Sequence, residues 1–171
     1  VPVAADIAAR LSLTPMTPRT DDDAANFTVP IDHRLAGTGV SPLDRHRTIQ
    51  AIVDGSSRPE DFTRPGHIFP LIAHEGGILE RAGHTEAAIE LAAIAGLQPA
   101  GVLCEICSSD GLHMADEDEL LRKADELGLC VVSIAEIVAY RQGELSEPSS
   151  RGRDTEQLVC TAQAARQPVA E

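Results

Sequence analysis

The chain has 171 residues, 43% of them hydrophobic, and sets 14 Lys and Arg against 27 Asp and Glu for a formal net charge of −13. That length allows one domain with a real core, but aromatics are only 2% and Trp is absent, so Ala, Leu, Ile and Val must fill it. The acidic balance, with no Lys/Arg cluster and no stacking aromatics, argues against nucleic acid; no apolar run of about 18 residues predicts a membrane span, and no signal-peptide pattern opens the chain, which points to the cytoplasm.

In chain order, residues 5–13 read as a short helix, and a loop from Thr17 to Asn26 carries the run Asp21-Asp22-Asp23. Phe27-Thr28-Val29-Pro30-Ile31 alternates like a strand, with Pro30 hinting at an edge. Ser41-Pro42-Leu43-Asp44 has the form of a capping box with Pro at the first helical position. Its helix runs to about Val53, before Gly55. Arg64-Pro65-Gly66-His67 predicts a turn, and the strand-like run through Leu71 has His67 at its mouth.

Arg81-Ala82-Gly83-His84-Thr85-Glu86 gathers a cation, a flexible glycine, an imidazole, a hydroxyl and a carboxylate at a helix start. The following residues 87–95 are strong helix formers, apolar on nearly every side, so a buried helix is expected, stopped by Gly96. Free N–H groups and the helix dipole at such a start favour a phosphate or carboxylate, and Arg81 adds a bidentate donor. The plainer reading is that Thr85 caps a core helix and His84 sits at the surface.

Gly101-Val102-Leu103-Cys104-Glu105-Ile106-Cys107 reads as a short buried strand whose one charge is Glu105. A carboxylate there is costly unless paired, metal-bound or catalytic. Cys104 and Cys107 at i and i+3 of a strand face opposite ways and chelate nothing together. Cys104, Cys107 and Cys130 are expected as buried thiols, and Cys160 as exposed. Residues 116–127 predict an amphipathic helix ended by Gly128, Leu129 to Ile134 a strand, and Ser133-Ile134-Ala135-Glu136 a second capping box that starts a helix through Tyr140. Residues 143–171 dissolve into Ser, Pro, Glu, Gln and Arg and read as a disordered tail.

Three of these runs, Arg64 to Leu71, Gly76 to Ala88 and Pro99 to Ile106, together resemble the 3,4-dihydroxy-2-butanone 4-phosphate synthase family of riboflavin biosynthesis. Thr38-Gly39-Val40-Ser41 with Asp44-Arg45, Asp110-Gly111 with Met114-Ala115, and Ala139-Tyr140-Arg141 extend the resemblance from about Ala5 to Gln142. Residues 1–142 are therefore expected to be a synthase-like domain. Pro42-Leu43 stands where the family usually has Ala-Ala, and the loop from Ser108 to Met114 is altered. The family's N-terminal acidic loop, which helps bind the metal and the sugar phosphate, has no counterpart in these residues, so the chain is expected to be N-terminally truncated relative to the family.

The resemblance implies an α/β or α+β fold, a mixed sheet with helices packed around it, in a cytoplasmic homodimer. It implies conversion of ribulose 5-phosphate into 3,4-dihydroxy-2-butanone 4-phosphate and formate by a lyase that needs Mg²⁺ or Mn²⁺. It makes His67 and Glu105 catalytic, assigns Arg81, Gly83, His84, Thr85 and Glu105 to the sugar phosphate, and makes His84 a metal ligand. Asp44 and Arg45 are expected to orient the site. Asp21, Asp22 or Asp23 could in principle replace the acidic loop's carboxylate. Two further readings stay open: an impaired homologue serving as a partner or regulatory subunit, and an enzyme repurposed for a related sugar phosphate.

Overall fold

A computed structural model describes residues 1–18 and 24–143. Asp21 to Asp23, Cys160 and the tail beyond Gly143 lie outside the described residues. The chain forms two compact units, Val1–Leu103 and the residues from Cys104 onward. The architecture is α+β.

In the first unit, β1 (Pro2–Val3) leads into α1 (Ala5–Arg10), followed by β2 (Ile31–His33), α2 (Pro42–Val53), β3 (Phe62–Ile68), β4 (Leu71–Ile72) and α3 (His84–Ile94). β1 pairs in parallel with β4, and β2 pairs antiparallel with β3. Where one mixed sheet was expected, the described strands make two two-stranded sheets. Phe27 and Thr28 make only isolated bridges, and regular pairing starts at Ile31.

The predicted turn at Arg64-Pro65-Gly66 is instead part of β3. Asp32 lies opposite Thr63 while Ile31 lies opposite Ile68, so residues 64–67 bulge out of the ladder. Gly66 sits directly against the Ile31 carbonyl and the Asp32 amide, leaving no room for a Cβ. That close approach sets His67 beside Asp32.

The core is aliphatic, as the composition required. Val3, Ile7, Leu11, Leu13, Ile31, Ile52 and Ile68 are buried together with Phe62. Each such side chain contributes about 1.5–3 kcal/mol on burial. Ile7 on α1 and Leu11 at its C-cap are one helical turn apart and enter this core together. Two arginines tie the helix ends down. Arg10 donates to the carbonyls of Ile52 (3.0 Å), Asp54 (2.9 Å) and Ser57 (2.9 Å) at the end of α2, and Arg64 donates to the Leu11 carbonyl (2.8 Å) just past α1. The Ile52 and Leu11 carbonyls so reached lie at helix ends, where the helix itself supplies no partner.

α3 starts and stops as expected, with Gly83 at its N-cap and Gly96 at φ +69° beyond its end. Its burial differs from expectation. Thr85, Glu86, Ala87 and Ala92 are buried, whereas Ile94 is 41% exposed. An all-round apolar sequence needs cover on all sides, and α3 has it on one.

The second unit holds α4 (Glu117–Leu127) and α5 (Ile134–Arg141). The Asp116 carboxylate caps α4 by accepting the Glu119 N–H at 2.9 Å. The Ser133 box is complete: its hydroxyl accepts the Glu136 N–H, and the Glu136 carboxylate accepts the Ser133 N–H. Two expected strands do not form. Residues 129–133 run without regular structure into the α5 cap, and in 101–107 only Cys107 makes a bridge, to Met114. Both runs have the apolar character of strands, yet 101–107 pairs with β1 only at its start, where the Gly101 N–H donates to the Pro2 carbonyl at 3.0 Å and Ala100 bridges Val3, and no regular ladder follows among the described residues. Consequently Glu105, Cys104 and Cys107 are exposed and Cys130 is half-buried.

Candidate active site

The bulge of β3 creates the most organised polar arrangement in the first unit. The Asp32 carboxylate, in a residue only 8% exposed, accepts the His67 backbone N–H at 2.9 Å and faces its ring Nδ1 at 2.7 Å. An ionised carboxylate can only accept, so Nδ1 carries a proton and the lone pair of the neutral ring lies on Nε2. The His67 side chain is 46% exposed. A buried acid thus fixes the tautomer of an accessible imidazole, an arrangement suited to taking a proton and returning it. His67 was expected to matter, but Asp32 was not singled out. Its only signal was position: it follows directly on the predicted strand 27–31, as the one acid between Asn26 and Leu43.

The loop over this pair is tied to the start of α2. Asp44 Oδ1 accepts the Gly37 N–H at 2.9 Å and Oδ2 accepts the Gly39 N–H at 3.2 Å. The Ser41 hydroxyl caps the helix by accepting the Asp44 N–H at 3.1 Å. So the expected Ser41 capping box is half made, with Asp44 turned to the loop. The Gly37 amide, the Ser41 hydroxyl and the Gly39 amide hold the Asp44 carboxyl below its usual value. Arg45 donates from Nε to the Val40 carbonyl at 2.9 Å and from Nη1 to the His67 carbonyl at 3.5 Å.

The start of α3 forms a second cluster. Arg81 Nη1 lies 2.7 Å from Glu86 Oε2, and Glu86 Oε1 accepts the His74 N–H at 2.9 Å. Glu86 is 2% exposed. Arg81, expected to reach for a phosphate, is thus engaged by this buried acid, which the sequence shows as the carboxylate of the same helix start but not as the arginine's partner. Thr85 is buried and His84 is exposed at the first helical position. Asn26, His74, Arg81, Thr85 and Glu86 line a crevice of about 10 Å³, room for roughly one water. A larger cavity of about 290 Å³ lies beside Glu86, with Asp6, Glu75 and Glu90 also on its wall, and this acidic lining does not suit a phosphate. Glu105 belongs to the second unit and stands exposed.

The metal expectation meets a specific obstacle. Among the described residues no three His, Cys, Asp or Glu side chains gather where they could hold an ion. His84 offers one nitrogen, whereas Mg²⁺ prefers several oxygens. The described residues therefore do not by themselves fit a magnesium ion.

Fold and cluster define an α+β protein with a carboxylate-fixed histidine and an arginine-bearing helix start. Residues 1–140 match the family model for 3,4-dihydroxy-2-butanone 4-phosphate synthase, and the chain belongs to that family. It is 48% identical over 143 residues to the riboflavin biosynthesis protein RibBA of Bacillus mycoides, covering 83% of this chain and 36% of that protein. It is 49% identical over 133 residues to the 3,4-dihydroxy-2-butanone 4-phosphate synthase of Wolinella succinogenes, covering 77% of this chain and 38% of that one. The chain thus spans just over a third of the length of these curated relatives. Among solved structures it is similar to the Candida albicans synthase, with a TM-score of 0.76 and 35% identity over 82% of this chain and 69% of that one. It is also similar to a synthase solved in complex with two magnesium ions, with a TM-score of 0.72 and 30% identity over 83% of this chain and 72% of that one. Among the described residues no helix is long and apolar enough to cross a membrane.

Proposed function

We propose that this chain carries 3,4-dihydroxy-2-butanone 4-phosphate synthase activity, converting ribulose 5-phosphate into 3,4-dihydroxy-2-butanone 4-phosphate and formate in riboflavin biosynthesis, with residues 1–142 as the synthase-like part. The observation that carries this reading is the Asp32–His67 pair in a chain about half identical to proteins of that pathway. Enolisation beside a carbonyl needs a base, and loss of a hydroxyl needs an acid. His67 Nε2 serves as the base. The imidazolium formed is stabilised by Asp32 and returns the proton to the departing hydroxyl. Glu105 is assigned as the second acid–base group.

The phosphate is assigned to Arg81, Gly83 and Thr85 at the start of α3, where Arg81 must yield part of its contact with Glu86 or engage both anions through its several N–H groups. His84 contacts the sugar and is assigned as one ligand of a divalent cation, Mg²⁺ or Mn²⁺. A homodimer in the cytoplasm completes the proposal. The second reading, an impaired homologue acting as a partner or regulatory subunit, is favoured by one observation: no described group of three ligating side chains.

Formate release from ribulose 5-phosphate, with Mg²⁺ in excess, tests the proposal. Turnover that disappears in His67→Ala supports synthase activity. A well-folded chain that binds ribulose 5-phosphate but releases no formate supports the second reading.

A further inference from the structure

We infer that Asp44 is a positioning residue for His67, acting at a distance through the backbone of Gly39. This inference rests on the reading of His67 as the acid–base group. Asp44 is 7% exposed, and both of its carboxylate oxygens are spent on the loop before α2, one on the Gly37 N–H and one on the Gly39 N–H. A residue kept only for helix capping would turn its carboxylate to the N–H of Ser41, three residues back. Asp44 does not; Ser41 alone does the capping.

The loop so anchored closes directly over the Asp32–His67 pair. Gly39 is buried, with φ +76°. A Cβ at this position would collide with Asp32 Oδ2 and stand 2.6 Å from His67 Nδ1. The bare Cα of Gly39 therefore lies against the oxygen and nitrogen that share the Nδ1 proton and covers this side of the pair. Cover on that side strengthens a charge-assisted hydrogen bond and fixes the tautomer that leaves Nε2 basic. The first turn of α2 also reaches the histidine from below: Arg45, next in sequence, holds the Val40 carbonyl and contacts that of His67. Asp44 thus connects helix, loop and imidazole without touching the ring.

The test compares Asp44→Asn with Ser41→Ala in the 171-residue chain. An amide puts only one acceptor oxygen where the carboxylate has two, so Asp44→Asn loses one of the two loop contacts. Ser41→Ala removes the helix cap and the hydroxyl beside Asp44 but leaves both carboxylate oxygens to the Gly37 and Gly39 N–H groups. Ring ¹⁵N shifts of His67 report the tautomer without any need for turnover. The expected result is a protected Nδ1 proton in the parent and in Ser41→Ala, and in Asp44→Asn faster exchange with a shift toward the Nε2-protonated form. Gly39→Ala, which pushes a methyl group into the pair with Asp44 intact, should reproduce the change and decides the matter if Asp44→Asn does not fold. In formate assays Asp44→Asn should lower kcat by about tenfold or more, with KM little changed. His67 ring signals in Asp44→Asn and Gly39→Ala identical to those in Ser41→Ala would overturn the inference. Loss of His67 without loss of turnover would instead overturn the proposed acid–base role, and the ring signals would still judge Asp44.

Discussion

Arg81 and Glu86 meet at 2.7 Å across the first turn of α3, the arginine side chain 25% exposed and the glutamate 2%. The partner nearer to solvent is the one assigned to substrate, and the buried partner holds it in place. Removing the arginine strands a charge in the interior, which costs far more than the pair itself contributes. Arg81→Ala should therefore destabilise the fold by about 3 kcal/mol, and Arg81→Met with Glu86→Gln by clearly less. Denaturant titration measures both; equal losses would show that the stranded charge is not the cause. Arg81→Ala should also abolish phosphate-dependent binding of ribulose 5-phosphate.

Asp32 should matter to turnover more than to stability. Asp32→Asn keeps the shape but offers an amide that no longer demands the Nδ1 proton. In a comparable acid–histidine arrangement the same change costs about 10⁴-fold in turnover, so a fall of about 10³-fold or more is expected. A formate assay reads it. Activity within a few-fold of the parent would mean that His67 does not depend on its tautomer.

Glu105 offers a clean separation of roles because it is exposed. Glu105→Gln should change stability by less than about 0.5 kcal/mol, as surface substitutions do. It should nevertheless abolish formate release. Turnover near the parent level would remove Glu105 from the reaction.

Divalent metal should bind weakly to the 171-residue chain, since no described trio of ligands exists and His84 supplies a single nitrogen. Calorimetric titration with Mg²⁺ or Mn²⁺ is expected to give a dissociation constant on the order of 1 mM or weaker, as for carboxylate-poor sites for hard ions. His84→Ala should weaken Mn²⁺ binding further. Micromolar affinity unaffected by His84→Ala would defeat the ligand assignment and show that other groups hold the ion.

The loop at Asp110 provides a pH marker in the second unit. The His113 ring at 2.7 Å, and then the N–H groups of Leu112 and His113, hold the Asp110 carboxyl at about 2, below its usual 3.8. A depressed folded value means that the contribution is complete above about pH 4 and is lost as pH falls through about 2. The amide shifts of Leu112 and His113 should therefore move together near pH 2. A midpoint at 3.8 would show that these contacts do not hold in solution.

Local signals in the sequence carried the helices well. Ser41 with Pro42, Asp116, and Ser133 with Glu136 start helices where capping chemistry predicts, and Gly96 and Gly128 follow the helix ends. These features depend on neighbours within four residues, so sequence alone determined them. The runs Arg64 to Leu71, Gly76 to Ala88 and Pro99 to Ile106 together likewise disclosed the family, and the second of them the helix start, because each run is contiguous.

Tertiary structure decided what depends on residues far apart. Whether 101–107 and 129–133 become strands turns on a partner alongside, which an apolar run cannot specify for itself; the first run pairs with β1 no further than Gly101, and Glu105 beyond it comes to the surface. The bulge at Arg64-Pro65-Gly66 within β3 places His67 against Asp32, 35 positions away. Asp44 reads in sequence as half of a capping box, and only the folded loop shows it holding Gly37 and Gly39 instead. Residue types announced acid–base chemistry; which carboxylate serves which cation or ring was fixed by burial and long-range pairing, because a charge removed from water must find its partner in space rather than in sequence.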